Sequence, residues 1–191
     1  MRELFLSVQN HPHILLATAL FMGMFTFTGQ QMTVRAENTY LYVETKDVPQ
    51  VSDEEKAANM QKVQAFLKEC KTFYIATAEG DQPRVRPFGV SEIINGRLYI
   101  ITAKVKQVFK QISKNGKFEI CALKPTGVEW VRISGTLVND DSRSVKETFL
   151  ERNPSLKGMY SADDDNMAVL YISNGVASFS SFAGASSQIS F

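Results

Sequence analysis

Apolar and polar residues alternate along most of this chain with a period of two, interrupted by three stretches of helical spacing. Ser52 followed by Glu55 is a capping-box pattern, and Met60, Val63, Leu67 and Cys70 then place an amphipathic helix ending before Thr72. Phe73 to Ala78 predicts a strand, Glu79-Gly80-Asp81 its turn, and Pro83-Arg84-Val85-Arg86-Pro87-Phe88 the returning strand. Asn95-Gly96 accepts the positive φ angles of a tight hairpin and leads into Arg97 to Ile101. A second helix is expected from a Thr102 cap, with Val105, Val108, Phe109 and Ile112 on one face and Asn115-Gly116 as a left-handed stop. Lys117 to Leu123 is the next strand, and Pro125 and Gly127 mark a turn into Val128 to Gly135, where Val131 and Ile133 share a face opposite Trp130 and Arg132. Asp140 or Asp141 then caps a helix carrying Val145 and Phe149 as far as Asn153-Pro154. Met167 to Ser173, Asn174-Gly175 and Val176 to Phe182 read as a second hairpin. Such a series of short strands predicts a mainly β fold, a small antiparallel barrel with flanking helices.

The amino-terminal part has a different character. Ile14 to Thr28 is mostly apolar but shorter than the roughly 20 residues of a membrane helix, and Val34-Arg35-Ala36 offers small residues suited to signal cleavage. Residues 1–36 thus read as a hydrophobic leader, 37–51 as a linker, and 52–191 as the folded domain. Arg2 beside Glu3 is a weak positive flank for an export signal, and the other reading is a chain beginning at Met32 or Met60. Any membrane association is expected only through this leader.

With 191 residues, 44% hydrophobic content and a formal charge of +1, the chain can bury one core and has no bulk attraction for nucleic acid. Its two histidines, His11 and His13, both precede the domain, and its two cysteines are Cys70 and Cys121. The domain therefore lacks the ligands of an ordinary zinc site and the base of a hydrolytic triad. Neither GxGxxG nor GxxxxGK occurs. Asp163-Asp164-Asp165 has no calcium-loop spacing and reads as a solvated loop. Chemistry, if any, is expected from a bound cofactor.

The charges within the domain point to an anion. Strand periodicity puts Arg84 and Arg86 on one face with Val85 on the other, while Lys104 and Lys106 fall at the expected helix start. Cations there oppose the helix dipole unless an anion such as a phosphate joins them. The alternative is a solvated basic surface. Trp130 and Arg132 add an aromatic plane and a cation on the face that Val131 and Ile133 leave outside the core.

Arg84-Val85-Arg86-Pro87-Phe88-Gly89, Leu98-Tyr99-Ile100-Ile101-Thr102 leading to Lys106, and Trp130-Val131-Arg132-Ile133-Ser134-Gly135 together resemble the pyridoxamine 5'-phosphate oxidase-like family of FMN-binding split barrels. The resemblance runs from about Met60 to Phe191 and includes Asn153-Pro154-Ser155-Leu156-Lys157, Met159-Tyr160 and Phe179 to Phe182. It implies a six- to seven-stranded antiparallel split barrel and a homodimer holding FMN at the subunit interface. It also implies phosphate contacts from Arg84, Arg86, Lys104, Lys106 and Thr102. Pro87, Phe88 and Ile101 would approach the ribityl chain or ring, Val85 would be a further cofactor contact, Trp130 and Gln107 would line the cofactor, and Phe179 and Phe182 would come from the partner. Unlike the true pyridoxamine phosphate oxidases, this chain has no arginine after Arg152, no tryptophan after Trp130 and no histidine in the domain, so vitamin B6 oxidation is not expected. The resemblance then implies an FMN-dependent oxidoreductase with a small-molecule electron donor and acceptor. The other reading is a non-catalytic module that binds or stores a flavin, haem or deazaflavin.

Overall fold

The computed structural model describes residues 25–27, 30–37, 40–45, 51–184 and 186–191. Two compact units divide at Gln50/Val51. The first contains an antiparallel sheet of β1 (Phe25–Phe27), β2 (Gln30–Glu37) and β3 (Tyr40–Thr45). Val34-Arg35-Ala36, expected at a cleavage site, lies within β2, and part of the expected linker is strand β3. Most of the apolar run from Ile14 lies outside the described residues.

In the second unit, α1 (Asp53–Cys70) starts as the capping box requires, with the Glu55 N–H donating to Ser52 Oγ at 3.1 Å. It buries Met60, Val63, Leu67 and Cys70. The remaining strands are β4 (Phe73–Glu79), β5 (Gln82–Phe88), β6 (Ser91–Ile94), β7 (Arg97–Ala103), β8 (Lys117–Leu123), β9 (Glu129–Asp140), β10 (Met167–Ser181) and β11 (Ser186–Ser190). They form one eight-stranded antiparallel sheet in the order β5-β4-β8-β9-β10-β7-β6, with β11 added beside β10. The sheet cannot be flat. Its two end strands, β5 and β6, are joined only by Gly89-Val90, so Phe88 and Ser91 lie at most about 11 Å apart by chain length, whereas six strand spacings laid flat would span about 29 Å. The sheet therefore curls until its ends approach, which is the split barrel.

Its interior is filled by Ile75, Leu98, Ile100, Ile120, Val131, Ile133 and Leu170, closed over by α1. A second cluster packs Tyr99, Ile101 and Val169 against Val145, Phe149 and Leu150 of α3 (Arg143–Arg152). Strand β7 is thus buried on both faces, which is why Leu98-Tyr99-Ile100-Ile101 is continuously apolar.

Four local expectations change, and one strand is added. The Asn174-Gly175 hairpin is absent, because Ser173 faces Thr136 and Val176 faces Ser134 on the same β9 neighbour. Asn174 takes its positive φ of 53° in a β-bulge opposite Gly135, and β10 runs on. Thr102 does not cap a helix: β7 continues through it, and α2 (Gln107–Lys114) begins after Lys106. Asn115 is extended, and Gly116 is demanded by close approach, since a Cβ there would lie 2.9 Å from Leu137 O and from Thr136 Cγ2. The third helix is capped at Ser142, with Asp140 accepting from its backbone N–H at 3.0 Å. Strand β11, whose serine-rich sequence carries little apolar alternation, was not expected.

Candidate functional site

Strand β5 pairs with β4 so that Arg84 lies opposite Thr77 and Arg86 opposite Ile75. Both arginines therefore share the face of two buried residues, as the period of two predicts. Their fates differ. Arg84 is neutralised by Glu79, with Nε donating at 2.9 Å and Nη2 at 2.8 Å from the same carboxylate oxygen. Arg86 has no carboxylate within salt-bridge distance among the described residues. Its Nη1 donates to Thr77 Oγ1 at 2.7 Å, to Arg84 O at 2.9 Å and more distantly to Ile75 O at 3.4 Å, and its Nη2 donates to Gln111 Oε1 at 2.6 Å. Burial, and then the charge of Arg84, lower its pKa from the usual guanidinium range. A guanidinium remains charged under such a shift, so Arg86 is a partly buried cation held by neutral oxygens.

A cavity of about 410 Å³ opens beside it between β5, β7, the start of α2 and the 3-10 turn Pro154–Gly158. Arg86, Lys106 and Thr102 line it together with Pro87, Phe88 and Ile101. Six of the expected site residues thus meet in one place. Thr102 lines the cavity although it is only 2% exposed. Leu156, Met159 and Tyr160 complete the apolar side. These three fall in the stretch that carries the family resemblance, where the sequence alone gives them no role. Their presence in the cavity depends on the turn after α3 folding back over β7, a non-local contact that no local spacing reveals.

The convergence of four cations does not hold. Lys104 is turned to Asp141, with Nζ 2.9 Å from Oδ1, and Arg84 belongs to Glu79. Val85 points to the opposite face and is 65% exposed, and Gln107, exposed at the start of α2, does not line the cavity. Trp130 lies elsewhere, in a groove of about 460 Å³ lined with Phe66 and Phe179. That groove is larger, but its Lys124 already sits between Glu69 and Glu129 at 3.2 Å each. Its other cation, Lys62, lies over the Phe179 ring at 4.7 Å from the centroid, whereas Arg86 is held by neutral oxygens at the edge of the cavity beside β5. Phe182, 77% exposed, packs against Trp130 at a ring separation of 5.0 Å, and Phe179 packs edge-on to Phe66 at 5.5 Å.

A curled antiparallel sheet with helices on its flanks, and a cationic, apolar-walled cavity beside its edge strand, defines a split-barrel protein. A family profile described as pyridoxamine 5'-phosphate oxidase matches residues 60–173, and the chain belongs to that family. Among solved structures, a NimC/NimA family protein from Clostridium acetobutylicum is 46% identical over 73% of this chain and 96% of its own, with a TM-score of 0.70. General stress protein 26 from Bacillus anthracis is 15% identical, covering 69% of this chain and 98% of its own at a TM-score of 0.54. A heme binding protein from Mycobacterium smegmatis is 11% identical, covering 75% of this chain and 60% of its own, also at 0.54. The last two likenesses concern the fold alone. Among curated proteins, none matches.

Proposed function

We propose that this chain binds FMN in the cavity beside β5 and acts as a flavin-dependent oxidoreductase. The observation that carries the reading is the meeting of an uncompensated cation, Arg86, with Lys106, Thr102 and an apolar wall in one space. A volume of about 410 Å³ falls within the roughly 300–1,000 Å³ of small-molecule sites. Arg86 and Lys106 would hold the single phosphate with charge-assisted hydrogen bonds, and Thr102 would add a hydroxyl. Pro87, Phe88, Ile101, Leu156 and Tyr160 would keep water from the ring system. FMN, when bound, supplies hydride and electron transfer between a nicotinamide donor or substrate and an acceptor, while the protein orients and excludes solvent.

The working unit in this reading is a homodimer. Sheet register places Val85, Tyr74, Leu123 and Trp130 on the outer face, where Val85, Tyr74 and Leu123 are at least half exposed, next to the exposed Phe182. A twofold contact would cover these apolar side chains and bring Trp130 near a partner's cofactor, as the arrangement within one chain does not.

Replacing Arg86 and Lys106 together by glutamine should weaken FMN binding by roughly two to four orders of magnitude, since each charge-assisted bond contributes about 1.5–3 kcal/mol. The parent protein should purify with a flavin spectrum and release FMN on denaturation. An intense haem band in its place would favour the non-catalytic alternative, and equal FMN affinity in the double variant would overturn the phosphate assignment.

A further inference from the structure

Gln111 sits on α2, is 6% exposed, and lies far from either arginine in sequence. Its Oε1 accepts from Arg86 Nη2 at 2.6 Å and from the hydroxyl of Thr77 at 2.7 Å, while Thr77 Oγ1, itself 4% exposed as a residue, accepts from Arg86 Nη1 at 2.7 Å. Three side chains from β4, β5 and α2 close a ring of hydrogen bonds around one end of the guanidinium. A carboxylate at position 111 would make the same contacts and neutralise the charge. The amide makes them and leaves it.

The donor count sharpens this. A guanidinium carries five N–H groups. Thr77, Arg84 O and, at 3.4 Å, Ile75 O share the two on Nη1, and Gln111 occupies one on Nη2. The Nε–H and the second Nη2–H remain, and these lie along one edge of the planar group with the spacing of a bidentate oxyanion contact. We infer that Gln111 and Thr77 are positioning residues: they grip the far end of Arg86 with neutral oxygens so that its other edge is presented, still fully charged, to an oxyanion. The inference rests on the cavity reading above only in identifying that oxyanion with the phosphate of FMN.

The test is Gln111→Glu in the full-length protein. The substitution conserves shape and converts a neutral acceptor into an internal anion, so a purely structural role predicts unchanged or improved folding and unchanged ligand binding. The positioning role predicts an unchanged or raised melting temperature together with FMN affinity lowered on the order of tenfold to a hundredfold. Thr77→Val should weaken binding in the same direction, and Thr77→Ser, which restores the hydroxyl, should return it. If the parent binds FMN and Gln111→Glu binds it equally well, the inference fails while the FMN reading stands. If the parent binds no FMN but takes up inorganic phosphate in calorimetry, and Gln111→Glu does not, the FMN reading fails and the positioning role survives. A parent that binds neither overturns both.

Discussion

Tyr99 offers a measurement of how firmly the strand behind the cavity is held. It is 1% exposed, lies on β7 two residues before Ile101, and donates its hydroxyl to Asp140 Oδ2 at 2.8 Å across the intervening β10. Burial first, and then the bond to Asp140, push its pKa up from 10.0 to about 12. In the unfolded chain the phenol titrates near its ordinary value of about 10. The native state therefore retains a proton that the unfolded state loses. Stability from this group is fully present below about pH 10 and falls as pH rises through about 12, by roughly 1.4 kcal/mol per pH unit and about 2.7 kcal/mol in all. Tyr99→Phe removes both the bond and the linkage. At neutral pH the variant should be less stable by about 1.5–3 kcal/mol, the usual worth of a hydrogen bond to a charged group. Above about pH 10 the gap between the two proteins should close, because only the parent loses stability there through this residue. Urea unfolding followed by the fluorescence of the sole tryptophan, at several pH values, gives the difference directly. Ionisations other than that of Tyr99 are common to both proteins and cancel. A gap that stays constant to the alkaline limit, or a spectrophotometric titration in which all six tyrosines ionise together near pH 10, would refute the reasoning.

Two further outcomes are expected. Lys104→Ala should leave FMN affinity nearly unchanged while Lys106→Ala lowers it, since Lys104 is committed to Asp141; the same Lys104 variant should let the Asp141 pKa rise, because the bond to Lys104 is the main cause of its depression, and carboxylate titration by NMR would show it. Gly116→Ala should destabilise the domain by about 1–3 kcal/mol in denaturant unfolding, because its Cβ would stand 2.9 Å from the Leu137 carbonyl and the β8 to β9 register leaves neither strand room to move.

Local features were legible in the sequence because their causes are local. The capping box at Ser52, the Asn95-Gly96 hairpin and the alternation that buries Val131 and Ile133 each depend on residues within a few positions of one another. The fold class followed from them, and with the resemblance so did six of the cavity residues. Asn174-Gly175 marks the limit of that kind of reasoning: the dipeptide does take a positive φ, but a turn and a bulge make the same local demand, and only the neighbouring strand decides between them. The site shows the limit more sharply. Arg84, Arg86, Lys104 and Lys106 are equivalent as cations in a sequence, and tertiary contacts separate them. Glu79 and Asp141 take two, while Thr77 and Gln111, brought in from another strand and a helix, hold Arg86 without cancelling it. A charge can be read from one residue, but whether it is still available depends on which oxygens the folded chain brings within about 3 Å of it, and that distance is set by contacts remote in sequence.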